Sequence, residues 1–308
     1  MSGPAFIAFP GQGSQHIKML SRGYILDLAS SAEFKPLIQL CDDLVCQSTI
    51  NLIENGPEDI LNQTSITQPL LLLTSFLHFH QLQQFYSFKI LGMAGHSLGE
   101  YSALVASNAI SIEDALKIVR LRGMLMERAE TGSMAAIIGL SPSQVVDACA
   151  EASYGPSSIA QAANLNSPMQ TVISGHLDAV ERAQNICKSM GAKRAIKLNV
   201  SIASHSALME SVCSDFEECL RGLSISTPEI PIFHNVTADL AISEIEIKDL
   251  LVKQLYLPVR WLDICKKVNV MGIPMFECGP GKVLSGLCKA NSITDYNYVT
   301  NPTFPEVL

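Results

Sequence analysis

Short apolar runs that stop at glycine or proline alternate with helical periodicity at both ends of the chain. Residues 5–9 form one such run, closed by Pro10-Gly11, and residues 90–94 a second, closed by Gly95. Each predicts a buried strand entering a turn. A helical pattern follows over 98–108, and Ser111-Ile112-Glu113-Asp114 reads as a capping box opening another helix. Residues 69–79 are apolar but broken by Thr74, Ser75 and His78, which predicts a buried helix rather than a membrane span. Near the end, helices are predicted over 206–223, 245–268 and 281–290, with strands over 230–235 and 275–278. This alternation argues for a parallel α/β sheet.

The middle of the chain has another rhythm. Strands are predicted over 134–139, 158–165, 170–174 and 194–200, and helices over 141–152 and 177–190, the latter ended by Gly191. The order β-α-β-β-α-β is that of a ferredoxin-like unit, expected as an insertion in the larger α/β part.

Composition narrows the function classes. Of 308 residues, 48% are hydrophobic and only 16% charged, which suits a globular fold with a large core. The net charge of −8 and the lack of a long basic run argue against nucleic acid as a partner. The nine cysteines include no CxxC pair, so they are expected as reduced, mostly buried thiols in a cytoplasmic protein. The first ten residues lack the basic n-region of a signal peptide.

The sharpest chemical signal is Gly95-His96-Ser97-Leu98-Gly99, between a predicted strand and a predicted helix. A nucleophile elbow needs that context: the glycines permit a tight turn that exposes the serine, and the helix N-terminus offers free N–H groups to a developing oxyanion. Serine needs a base, and seven histidines are available. His205, in Ser201-Ile202-Ala203-Ser204-His205-Ser206, follows a predicted strand, where a parallel sheet places functional groups. Pro10-Gly11-Gln12-Gly13-Ser14-Gln15 is a glycine-rich turn without the Lys-Ser/Thr ending of a P-loop. It could cradle a phosphate or lend an N–H to an oxyanion hole, with His16 just beyond it. Arg122 falls on the apolar face of its helix with Ala115, Val119 and Met126. A buried guanidinium must be paired, either with a protein carboxylate or with the carboxylate of a substrate.

Seven motifs stand in one order: PGQGSQ, GHSLGEYSALVAS, RLRGMLMERA, NSPMQTVISG, SIASHSALM, QLYLPVRW and FECGPGKVLSGL. Together they resemble the malonyl-CoA:acyl carrier protein transacylases, a family that includes free-standing acyltransferases of polyketide synthases. The resemblance spans residues 6–290. It implies an α/β-hydrolase-like larger subdomain, residues 1–131 and 200–308, and the ferredoxin-like subdomain over 132–199. It also implies roles: Ser97 as nucleophile, His205 as its base and then acid, and the N–H groups of Gln12 and Leu98 as oxyanion hole. The backbone carbonyl of Gln254 would orient His205 in place of an aspartate, and Arg122 would hold the malonyl carboxylate.

The implied reaction moves malonyl from coenzyme A, through an acyl-Ser97 ester, to the phosphopantetheine thiol of an acyl carrier protein in fatty acid or polyketide biosynthesis. Coenzyme A enters as substrate thioester; no bound cofactor, metal, membrane or nucleic acid is expected, and the family tendency is monomeric. Lys188, Lys193, Arg194 and Lys197 form the one dense basic cluster, a candidate docking surface for an acidic carrier protein. Three residues depart from the family pattern: Lys18 and Met169, where glycine is usual, and Leu257, where asparagine is usual. Other readings the sequence leaves open are a polyketide acyltransferase of different acyl specificity, a hydrolase that clears stalled acyl carrier proteins, a general esterase, and a non-catalytic carrier-binding module.

Overall fold

The computed structural model describes residues 3–21, 25–87 and 89–300. Its strands are, in chain order, β1 (Pro4–Phe9), β2 (Lys89–Gly95), β3 (Ser133–Ile138), β4 (Ala160–Ser167), β5 (Gln170–Gly175), β6 (Arg194–Lys197), β7 (Ile232–Phe233), β8 (Met275–Glu277) and β9 (Tyr296–Tyr298). They form two sheets.

The first sheet has the order β7-β2-β1-β8-β9 and every pairing in it is parallel. Its central strand, β1, is buried from Ala5 onward, as expected of a strand covered on both faces. Phe9 lies opposite Gly95 in the β1/β2 register. The two strands therefore end level, and the turns after them leave the same carboxyl edge, where open α/β sheets place their ligands. The Thr64–Phe85 helix is buried on nearly all sides through its first three turns, although Pro69 lies inside it, and it packs along the Ile112–Arg128 helix. No helix among the described residues is long and apolar enough to cross a membrane.

The second sheet has the order β4-β5-β3-β6, all antiparallel. The helices Pro142–Ala152 and Leu177–Ser189 cover one face and bury Val145, Ala148 and Val180 against Ala135, Ile137 and Ile173. This is the expected β-α-β-β-α-β arrangement. The Ser141 capping box forms with Gln144. At Ser111 only half of one does: its hydroxyl accepts from Asp114 N–H, while Asp114 pairs with Lys117. The chain enters and leaves this unit side by side, through Gly132 N–H to Ser201 O and a Thr131–Ile202 bridge.

Three segments differ from the pattern-based expectation. The helix expected over 245–268 is two helices, Glu244–Lys253 and Trp261–Met271. Pro258 lacks an N–H and disfavours helical geometry at Leu257, so the chain opens there. The helix expected over 206–223 begins as a 3₁₀ stretch, Ala207–Val212, and becomes α only at Cys213–Arg221; tight turns of this kind are common at helix N-termini. The final helix shrinks to Ser285–Cys288 with a 3₁₀ turn after it.

Candidate active site

The GHSLG segment forms an elbow at the end of β2, with the Gly99–Ala106 helix behind it. Its glycines are needed for close approach. A Cβ on Gly95 would fall 1.8 Å from the Gly99 carbonyl carbon, and one on Gly99 would fall 2.2 Å from Phe9 O. Ser97 itself adopts φ +51°, left-handed for a non-glycine residue. Such strain persists only where the surroundings over-determine it.

His205 also has a positive φ, +61°. Its backbone N–H donates to Leu255 O at 2.9 Å, which ties the SIASHS loop to the segment after the Glu244–Lys253 helix. Its Nδ1 lies 2.7 Å from Gln254 O and its Nε2 2.8 Å from Ser97 Oγ. A carbonyl can only accept, so Nδ1 carries the proton and Nε2 is left as the acceptor for the serine hydroxyl. Burial and then the nearby Arg122 charge push the His205 pKa down to about 3, against a smaller upward pull from its backbone hydrogen bonds. The imidazole is thus neutral, the form a general base requires.

The PGQGSQ turn lies against this elbow. A Cβ on Gly11 would meet His96 O at 2.2 Å and sit 3.7 Å from Leu98 N. The Gln12 side chain is anchored by a 3.0 Å bond from Nε2 to Thr64 Oγ1. Neither the Gln12 nor the Leu98 backbone N–H has an acceptor among the described residues. The Ser97 N–H, in contrast, is taken by Asn235 Oδ1 at 2.7 Å. Two amides on turns in close contact are thereby left without a protein acceptor among the described residues.

Arg122 is 1% exposed and forms no ion pair with any described carboxylate. Its Nη1 donates to Gln68 Oε1 and its Nη2 to Gln254 Oε1, both at 3.0 Å, and Nη2 reaches Ser97 Oγ at 3.5 Å. The Tyr101 ring stacks 5.6 Å from the guanidinium carbon. Nε has no partner among the described residues. Of the two readings left open by the sequence, the internal ion pair is absent from this arrangement. The buried guanidinium is held instead by two neutral amides beside Ser97, with the Glu100 charge nearby, and its planar fork is of the kind that pairs with a carboxylate.

Ser97, His205, Gln12, Leu98, Gln254 and Arg122 are thus brought together. Three further residues were not singled out from sequence. Gln68 holds Arg122. Glu100, 1% exposed, accepts from His234 Nδ1 at 2.6 Å, Asn235 N–H at 3.1 Å and Gln254 Nε2 at 2.7 Å. Asn235 bonds to both sides of the elbow. A carboxylate one residue past GHSLG, in the otherwise uncharged segment 99–106, was a readable signal for Glu100. His16 is exposed. His78 is buried, bonded to Thr74 O at 2.8 Å, and burial lowers its pKa to about 4, in keeping with a structural role. Lys18, where glycine is usual in the motif, has φ +68°, the conformation glycine favours. Met169 sits half-exposed in the β4–β5 turn. The basic residues Lys188, Lys193, Arg194 and Lys197 are all exposed, at the end of the Leu177–Ser189 helix and along edge strand β6. No cluster of three or more His, Cys, Asp or Glu among the described residues could hold a metal ion.

Residues 6–274 match the acyl transferase domain family. The chain belongs to this family. Among curated members, the malonyl CoA-acyl carrier protein transacylase of Haemophilus influenzae is 42% identical over 92% of this chain and 90% of that protein. The enzyme of the same name from Bacillus subtilis is 41% identical over 94% and 90%. A solved acyl carrier protein S-malonyltransferase from Vibrio cholerae superposes with a TM-score of 0.88 at 41% identity, covering 96% of this chain and 95% of that one. A second solved neighbour is a malonyl-transacylase in complex with a type II polyketide synthase acyl carrier protein, with a TM-score of 0.87 at 39% identity over 96% and 94%. The two-part acyltransferase architecture is therefore shared over 96% of the chain.

Proposed function

We propose that this acyltransferase moves malonyl from coenzyme A to the phosphopantetheine thiol of an acyl carrier protein through an acyl-Ser97 ester. The observation that carries the acyl preference is Arg122, a buried guanidinium 3.5 Å from Ser97 Oγ and held by two neutral amides.

In the first half-reaction Ser97 Oγ attacks the thioester carbonyl as His205 Nε2 takes its proton. The oxyanion accepts from the N–H groups of Gln12 and Leu98. Gln254 O stabilises the imidazolium through Nδ1–H without changing protonation itself. As the tetrahedral intermediate collapses, the carbon–sulfur bond breaks and Nε2 returns the proton to the leaving coenzyme A thiolate. In the second half-reaction His205 takes the proton of the carrier's thiol, the thiolate attacks the ester, and Ser97 recovers its proton. Arg122 holds the distal carboxylate in both, so the acyl group keeps one orientation.

The carrier protein is an acidic partner in this reading, docking on Lys188, Lys193, Arg194 and Lys197. The protein works as a cytoplasmic monomer with coenzyme A thioester as substrate and no bound cofactor. The small subdomain comprises residues 132–199, between the two segments of the larger one. The reading is tested by incubating the enzyme with labelled malonyl-CoA and holo carrier protein. Malonyl-carrier should accumulate; release of free malonate with the carrier unloaded would indicate a hydrolase instead.

A further inference from the structure

Ser97 holds left-handed backbone at the elbow, and one side chain spans it. Asn235 lies two residues beyond β7, whose pairing with β2 ends at Ala94 opposite Phe233. Past that point the ladder is continued by the Asn235 side chain. Its Nδ2 donates to Gly95 O at 2.6 Å and its Oδ1 accepts from Ser97 N–H at 2.7 Å. A primary amide supplies one donor and one acceptor in a plane, as a strand's peptide group would.

Asn235 is itself fixed. It is 1% exposed, its N–H donates to Glu100 Oε2 at 3.1 Å and its carbonyl accepts from Arg260 N–H at 2.9 Å. The neighbouring His234 donates to the other oxygen of Glu100. Glu100 in turn accepts from Gln254, the residue that orients His205 and contacts Arg122.

We infer that Asn235 is a positioning residue for the nucleophile: its amide holds Ser97 in the positive-φ turn that keeps Oγ on His205 Nε2. It has a second effect. By occupying the Ser97 N–H it leaves Leu98 N–H as the elbow's free amide, so the oxyanion position is defined on one side. Asp at this position would keep the acceptor but set a carboxylate oxygen against Gly95 O, and Ala would remove both bonds. The inference rests on Ser97 being the acylated residue, as proposed above.

The test is single-turnover acylation by malonyl-CoA, read by intact mass, with steady-state kcat and KM for wild type, Asn235→Ala, Asn235→Asp and a packing control, Phe233→Leu. Phe233 is a half-buried neighbour on β7 that packs on Phe6 and makes no bond to the elbow. Misplacing a reacting group by about 1 Å costs roughly 10²-fold. Asn235→Ala should therefore lose on the order of 10²-fold in acylation rate and kcat, with KM for malonyl-CoA within about threefold. The isosteric Asn235→Asp should also lose kcat at unchanged KM, which covers failure of the alanine variant to fold. Phe233→Leu should lower the melting temperature and leave kcat unchanged. If both Asn235 variants acylate within about twofold of wild type, or if the loss falls on KM, the inference is overturned. A Ser97→Ala control separates the two levels: an adduct that survives it overturns the acyl-Ser97 reading, independently of Asn235.

Discussion

Ser97 and His205 meet at 2.8 Å across 108 residues of sequence, and both do so from left-handed backbone, φ +51° and +61°. Two such residues cost roughly 1–3 kcal/mol each, so the fold must supply the restraint. It does so with parallel strands that end level, glycines that admit backbone at close range, and a buried polar set joining Glu100, Asn235 and Gln254.

Arg122→Ala should reverse acyl preference. Hydrogen bonds to a charged group contribute about 1.5–3 kcal/mol. We expect kcat/KM for malonyl-CoA to fall about 10- to 100-fold, and that for acetyl-CoA to stay level or rise. Arg122→Lys should not restore malonyl use, because an ammonium lacks the planar fork held by Gln68 and Gln254. Competition between the two thioesters measures this directly.

Gly11→Ala tests the oxyanion position. The new Cβ would lie 2.2 Å from His96 O, so the PGQGSQ turn must withdraw from the elbow. Loss of one oxyanion donor costs about 10²–10³-fold in kcat. The variant should fold, bind malonyl-CoA and acylate at that reduced rate.

Besides His96, whose pKa burial also lowers, His205 and His78 shape the response to acid. These two have folded-state pKa values depressed by burial, to about 3 and about 4, from 6.5. The folded state thus binds fewer protons than the unfolded chain, and stability rises with pH in this window. Their contribution is complete above pH 6.5 and is lost as pH falls toward the folded values. Melting temperature should drop between pH 6.5 and 4. Meanwhile kcat/KM should keep its acidic limb below the usual histidine range, because His205 stays a neutral base there.

Charge reversal at Lys193 and Arg194, exposed beside β6, should raise KM for the carrier protein several-fold and weaken its salt dependence. Self-acylation by malonyl-CoA should not change. An unchanged carrier KM would place docking elsewhere.

Much of this architecture was legible in the chain. The split βαβ unit could be read from periodicity alone, and Ser97 from its strand–turn–helix setting. The motif resemblance then pointed to the Gln254 carbonyl as the partner of His205. Periodicity does not show the break that frees that carbonyl: the apolar pattern runs straight through Leu257-Pro258, although proline disfavours helical geometry at the residue before it. Asn235 is hidden for a different reason: it carries ordinary local chemistry, and only the pairing of β7 with β2 brings position 235 to position 97. Glu100 is legible as a lone carboxylate in an uncharged segment, but its partners His234, Asn235 and Gln254 are not. Arg122 was ambiguous because its apolar face was readable but its partners, Gln68 and Gln254, lie 54 and 132 residues away.

The central claim is that Ser97 carries a carboxylated acyl group selected by Arg122. Intact-protein mass spectrometry after brief exposure to acetyl-, malonyl-, methylmalonyl- and longer acyl-CoA tests it most directly, with holo carrier protein added afterwards. The account predicts a malonyl adduct that maps to Ser97, disappears on addition of carrier and reappears on the carrier's thiol. A preferred adduct of non-carboxylated acyl groups, lost to water rather than to the carrier, would contradict it.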